Sequence, residues 1–208
     1  MTTKQKVITL QVIAAVYIIG STIYNNLDGI DWLSTTTGML GLIGNMFLVW
    51  KSKTTFAFNM TNNVLGFVLN FQNRFFAEVG MNVWYFGTQL FKGIPYFKTN
   101  TDEAGEVITD GVTNKKALAK QVTIGFAAMG LFSLLLKGNM VFLDSFQNGI
   151  AIAAQNRNMG GKADGWLLWI ASNLINIVVW GWVGNWVMVG SFIAYAINAY
   201  AGYLNWSD

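Results

Sequence analysis

The sequence contains no cysteine and no histidine, and it has a single proline. Without cysteine there are no disulfides, iron–sulfur clusters or thiolate chemistry. Without histidine the commonest metal ligand, the usual general base and histidine proton relays are missing as well. No metal, no cofactor and no catalytic residues are therefore expected. Charge is also scarce: Asp, Glu, Lys and Arg make up 11% of the 208 residues, against about 25% in a soluble domain. The net charge of +3 is too small to point to nucleic acid.

Apolar length is what the chain has instead, with 53% hydrophobic residues. Uncharged stretches recur, each close to the roughly 20 residues that cross about 30 Å of hydrocarbon. The fold class expected is all-α, a polytopic membrane protein with eight spans at 7–24, 34–50, 55–72, 76–96, 117–136, 141–158, 165–183 and 186–205. The first apolar stretch has no small-residue cleavage site where a secretory signal would need one. A single polar linker, "FKTNTDEAGEVITDGVTNKK" at 97–116, divides the chain.

Basic residues test this count. With the N-terminus inside, the inner segments hold Lys4, Lys6, Lys51, Lys53, Lys92, Lys98, Lys115, Lys116, Lys120, Arg157 and Lys162. The outer segments hold only Arg74 and Lys137. That bias follows the positive-inside rule and puts both termini on the cytoplasmic side of the membrane. The spans also suggest a repeat within one transmembrane domain. Residues 1–33 form an accessory helix, 34–97 a first three-helix unit, 98–138 a loop and linker helix, and 139–208 a second three-helix unit. An odd linker helix would leave the two units parallel, related by an axis along the membrane normal.

Polar residues inside these spans fall on stripes. At about 100° per residue, Trp166, Trp169, Asn173, Asn176 and Trp180 share an arc of roughly 80°, with Trp182 opposite. Span three aligns Asn59, Asn63, Gly66, Asn70 and Asn73, with Asn62 beside them. Span four aligns Glu78, Asn82, Tyr85 and Gln89, and span six aligns Asp144, Gln147, Ala151, Gln155 and Asn158, with Asn148 adjacent. A carboxamide facing lipid without a partner costs several kcal/mol, so such stripes face protein or water. Any one of them could glue helices together. Four in one small protein point to a polar central pathway.

Most tryptophans, including Trp32, Trp50, Trp182, Trp186 and Trp206, lie near span ends, where the aromatic belt accounts for them. Trp169 is deeper and lies on a polar stripe, so it can stack on a ligand ring, with Trp166 and Trp180 next in line. Indoles and carboxamides together suit a ring-bearing, hydroxylated solute such as a nucleoside. Glu78 and Asp144 either serve structure near the outer helix ends or attract a cationic solute. With few deep titratable groups and no nucleotide-binding loop, passive transport is the default reading, and a sodium site of carbonyl and carboxamide oxygens stays open.

Three patches resemble the PnuC family of bacterial vitamin transporters. They are "AEVGMNVWYFGTQLF" at 77–91, "DSFQNGIAIAAQ" at 144–155 and the Trp-x-x-Trp of "WLLWI" at 166–170. The matching positions are Glu78, Asn82, Tyr85, Phe86, Gln89, Asp144, Gln155, Trp166 and Trp169, with Asn173 following. The resemblance implies a three-plus-one-plus-three core related to SWEET sugar transporters. It also implies facilitated diffusion of nicotinamide riboside by alternating access, with a cytoplasmic kinase trapping the vitamin by phosphorylation. A homo-oligomer, in particular a trimer, goes with this reading. The stripes and the resemblance together select as substrate-site residues Trp169, Trp166, Asn173, Asn176, Asn82, Tyr85, Gln89, Gln155, Asn63, Gln147 and Asn148.

The chain departs from the family where "FKGIPYF" at 91–97 lacks the usual tryptophans, and where Asn156 and Arg157 follow Gln155. These departures bear on which vitamin is carried, with thiamine as the alternative. Two other classes stay open: a membrane enzyme, disfavoured because histidines and paired carboxylates are missing, and a non-transporting interaction protein with stripes that are only glue.

Overall fold

The computed structural model describes residues 1–27, 29–102, 107–109 and 115–207. Nine of the twenty residues of the polar linker read at 97–116 lie outside the described residues. Apart from turns and an antiparallel bridge between Thr101 and Val107, the described residues are helical: α1 Thr3–Asn25, α2 Trp32–Val49, α3 Thr55–Gln72, α4 Phe76–Thr88, α5 Ile94–Thr99, α6 Lys115–Leu135, α7 Val141–Asn158, α8 Gly165–Trp182 and α9 Trp186–Ser207. A π-helical turn, Gln89–Gly93, joins α4 to α5, so 76–99 is one rod and the described residues make eight rods.

Local chemistry sets the ends. Thr2 caps α1 through a capping box with Gln5, and Asp31 caps α2 by accepting from the Ser34 amide. Tight turns between rods use left-handed residues at Lys51, Arg74, Gly161 and Gly184. The last two stand 110 positions after the first two. The same offset carries α2 to α7, α3 to α8 and 76–99 to α9.

Five rods (α1, α2, α6, α8 and α9) are long and apolar enough to cross a membrane on composition alone. The other three carry the densest polar stripes, which lower their mean hydropathy without shortening them much.

Packing arranges six rods in a closed ring. Neighbours in order are α2, α3, α4 with α5, α7, α8, α9 and again α2. Outside it, α1 lies on α9 and touches α2, while α6 lies on α7 and α4. The α6–α7 crossing is close because both helices present glycine. A Cβ on Gly149 would stand 2.6 Å from the Val122 carbonyl oxygen and 2.9 Å from the Phe126 nitrogen.

Two apolar clusters close the ring. At the end that carries both termini, Val7, Leu48, Phe56, Phe97, Met159, Trp166 and Trp206 pack together. At the other end Ile18, Leu42, Leu69, Phe75, Val179, Trp180 and Phe192 do so. Edge-to-face rings bind each cluster: Trp166 on Trp206 at 5.4 Å and Phe56 on Phe97 at 5.2 Å, against Phe75 on Trp180 at 5.0 Å.

Candidate substrate cavity

Between the two apolar clusters the ring surrounds a polar cavity of about 110 Å³. Four stripes were expected to meet here, and three do. From α8 come Trp166, Trp169, Asn173, Asn176 and Trp180. From α3 come Asn59, Asn62, Asn63 and Asn70, with Gly66 between them. From the 76–99 rod come Glu78, Asn82, Tyr85 and Gln89.

Span six behaves differently. Of its stripe only Gln155 reaches the cavity. Gln147 stands behind the wall, where its Nε2 donates to Glu78 and its Oε1 accepts from Ser172 Oγ at 2.9 Å and Asn176 Nδ2 at 3.0 Å. Asp144, 1% exposed, accepts from the Ala77 amide at 3.1 Å and from Asn148 Nδ2 at 3.0 Å. The carboxylate thereby satisfies an otherwise orphan N–H at the start of α4. Asn148 also donates to the Asp144 carbonyl and does not border the cavity. For α7, then, the glue reading holds: these side chains fasten α4 and α8 together, and Gln147 sets the orientation of two groups that do face inward.

The sequence reading missed two walls. α2 contributes Thr37, Asn45 and Leu48, and α9 contributes Met188, Phe192, Tyr195, Asn198 and Ala199. A signal was present in α9, where Ser191, Tyr195 and Asn198 recur at helical spacing, but the aromatic and aliphatic residues around them masked it. Thr37 and Asn45 are separated by two turns of small and apolar residues, too sparse to read as a stripe.

The two halves of the cavity differ in chemistry. The α3 and α4 side is carboxamide and carboxylate, while the residues 110 positions later on α8 and α9 are more aromatic and apolar. Asn59 corresponds to Trp169, Asn70 to Trp180 and Asn82 to Phe192. Trp169 and Tyr85 meet across this divide with ring centroids 5.7 Å apart and tilted by 49°. Trp182, as expected, points away and is 76% exposed.

Several buried polar atoms at the cavity have no protein partner. Donors are Asn63 Nδ2, Trp166 Nε1 and Asn198 Nδ2, and acceptors are Asn62 Oδ1, Asn70 Oδ1 and Gln89 Oε1. Buried polar groups are ordinarily paired, so their convergence here suits a ligand or water that offers both donors and acceptors. Glu78 is the one carboxylate in the lining, and no lysine or arginine lines it among the described residues. The cavity can therefore hold a flat ring, hydrogen-bond hydroxyls or amides, and favour a cation.

Residues 30–208 match the family model described as nicotinamide mononucleotide transporter. Over 183 residues, 85% of this chain and 80% of the other, the sequence is 25% identical to the nicotinamide riboside transporter PnuC of Haemophilus influenzae. A crystal structure of the vitamin B3 transporter PnuC superposes with a TM-score of 0.75 at 20% identity. That superposition covers 96% of this chain and 88% of the solved one, and establishes a shared fold.

Proposed function

Since the chain belongs to the nicotinamide mononucleotide transporter family, and is thus a multi-pass membrane transporter and not an enzyme, we propose that it carries nicotinamide riboside by facilitated diffusion. One observation carries the choice of substrate: the cavity pairs an aromatic wall with a carboxylate and has no lysine or arginine in its described lining. A phosphorylated mononucleotide would bring its dianion next to Glu78 with no cation to offset it. The riboside lacks the phosphate and keeps a positively charged pyridinium ring. That ring suits the faces of Trp169 and Tyr85, and its ribose hydroxyls suit Asn63, Asn82, Asn173, Asn176, Gln89 and Gln155. Trp166 closes the cavity at the terminus-bearing end, and Gln147 and Asn148 support the wall.

Transport then proceeds by alternating access. The two apolar clusters act as gates at opposite ends of the polar cavity, and only one opens at a time. The rigid bodies that rock are the triplets α2–α5 and α7–α9, the units read at 34–97 and 139–208, with α6 as the link in 98–138. Recurrence of left-handed turns and of cavity positions at one offset supports this division. The basic bias supports an orientation across a bacterial inner membrane with both termini in the cytoplasm. Net uptake would come from a cytoplasmic kinase that phosphorylates the vitamin, leaving a product the cavity disfavours. A trimeric assembly is part of the same proposal.

Uptake of labelled nicotinamide riboside into proteoliposomes, without ATP or an imposed ion gradient, tests this directly. Faster entry than into empty liposomes, with nicotinamide mononucleotide left outside, is the expected result. Entry of thiamine but not of nicotinamide riboside would reassign the substrate to another flat cation. Uptake that requires a sodium gradient would replace facilitated diffusion with ion coupling.

A further inference from the structure

We infer that Gln11, on the helix outside the ring, is a positioning residue for the substrate, because it fixes which end of the Asn198 carboxamide faces the cavity. The inference rests on reading the cavity as the substrate site. Gln11 is buried although α1 is mostly exposed to the surroundings. It also lies before residue 30, where the match to the family model begins.

The donor and acceptor inventory determines the orientation. An indole N–H can only donate. Trp50 Nε1 donates to Gln11 Oε1 at 2.7 Å, so the amide nitrogen of Gln11 must point the other way. That nitrogen donates to the Met46 carbonyl and to Asn198 Oδ1, both at 3.3 Å. With its oxygen held toward α1, Asn198 presents Nδ2 at its other corner. That nitrogen is buried without a protein partner, and Asn198 borders the cavity. The relay Trp50–Gln11–Asn198 thus delivers one N–H donor to the cavity wall, aimed at an acceptor such as a hydroxyl or carbonyl oxygen of the solute. Released from Gln11, the carboxamide could rotate by half a turn and offer oxygen instead, at almost no steric cost.

The opposite side of the ring lacks this arrangement. Gln121 of α6 stands 110 positions after Gln11, yet its Oε1 is buried without a partner. Thr88, which corresponds to Asn198, is engaged by Gln155 Nε2 at 3.1 Å. The relay therefore belongs to the α1 side only. It gives the outer helix a part in recognition that its position outside the ring conceals.

A double-mutant cycle on the purified full chain tests the inference, with nicotinamide riboside binding measured by calorimetry. Gln11→Met keeps the volume and removes the hydrogen bonds. Loss of one neutral hydrogen bond predicts a fall in affinity of roughly threefold to tenfold for Gln11→Met and for Asn198→Ala. The double variant should bind no worse than Asn198→Ala alone, because the two residues act as one unit. Wild-type affinity in Gln11→Met, or additive losses in the double variant, would overturn the inference, since a purely structural Gln11 would weaken either background equally. If Gln11→Met does not fold, Trp50→Phe, which frees the Gln11 oxygen, takes its place in the cycle.

A ligand-free arm separates this inference from the substrate assignment. In protein carrying ¹⁵N-labelled tryptophan, Asn198→Ala should shift the Trp50 indole N–H resonance through Gln11, and an unmoved resonance overturns the relay. Failure of the wild type to bind nicotinamide riboside would count against the proposed substrate, while the resonance still decides the relay.

Discussion

Trp169 and Asp144 both stand out in the sequence as unusual residues for a membrane span, and their surroundings differ sharply. Trp169 borders the cavity beside Tyr85. Replacing it with alanine is expected to weaken nicotinamide riboside binding by about 1–3 kcal/mol, the scale of a base stacked on an aromatic side chain. Calorimetry would measure it, and unchanged affinity would move the stacking role to Trp166 or Trp180. Asp144 instead ties the start of α4 to α7. Asp144→Asn is expected to lower the unfolding midpoint in detergent, at a cost of about 1–3 kcal/mol for a compromised buried acceptor, while the folded protein keeps wild-type affinity. Glu78 tests the charge argument. Glu78→Gln should lower affinity for nicotinamide riboside by roughly fivefold to thirtyfold, as loss of a nearby partly desolvated opposite charge implies. Reduced nicotinamide riboside, which carries no ring charge, should lose much less, and equal losses for both would remove the electrostatic role.

At the scale of the helix, periodicity showed which face is polar but not what that face meets. The eight spans agree with the eight rods to within a few residues, because apolar length and turn chemistry are local properties. Inside them, the stripes of α3, α4 and α8 border the cavity, whereas the equally regular stripe of α7 mostly bonds to its neighbours. The difference lies in rotation: α7 turns Asp144, Gln147 and Asn148 toward the seams with α4 and α8, and only Gln155 clears them. The α6 side of α7 is set by glycine. Gly149→Ala is expected to push α6 away, because a methyl group there overlaps backbone that has no rotamer to yield. A destabilisation of about 1–3 kcal/mol should appear in thermal unfolding of the purified protein, and an unchanged midpoint would mean that the helices slide apart freely.

For the whole molecule, the feature that matters is a polar cavity between two apolar seals. Each seal joins residues of both triplets, so in the proposed alternating-access cycle opening one moves the triplets apart. Because the natural chain has no cysteine, introduced pairs report on single sites. Val49→Cys with Trp206→Cys, joined by a short thiol-reactive linker, should tie α2 to α9, and so one triplet to the other, across the terminus-side seal. Uptake into proteoliposomes is expected to stop on linkage and to continue in the unlinked double variant. Undiminished uptake after complete linkage would show that the gate on this side lies elsewhere.

Composition and pattern alone determined that this is a helical membrane protein, where its rods begin and end, and which faces are polar. Those properties depend on apolar length, capping and the helical period, all of which act over a few residues. Tertiary structure decided that α7 supplies support more than lining, that α2 and α9 complete the wall, and that Gln11 reaches Asn198 from outside the ring. The Gln11–Asn198 bond joins residues 187 positions apart. No local period encodes such a contact, because the rotation and seating of each rod are settled only when the rods pack.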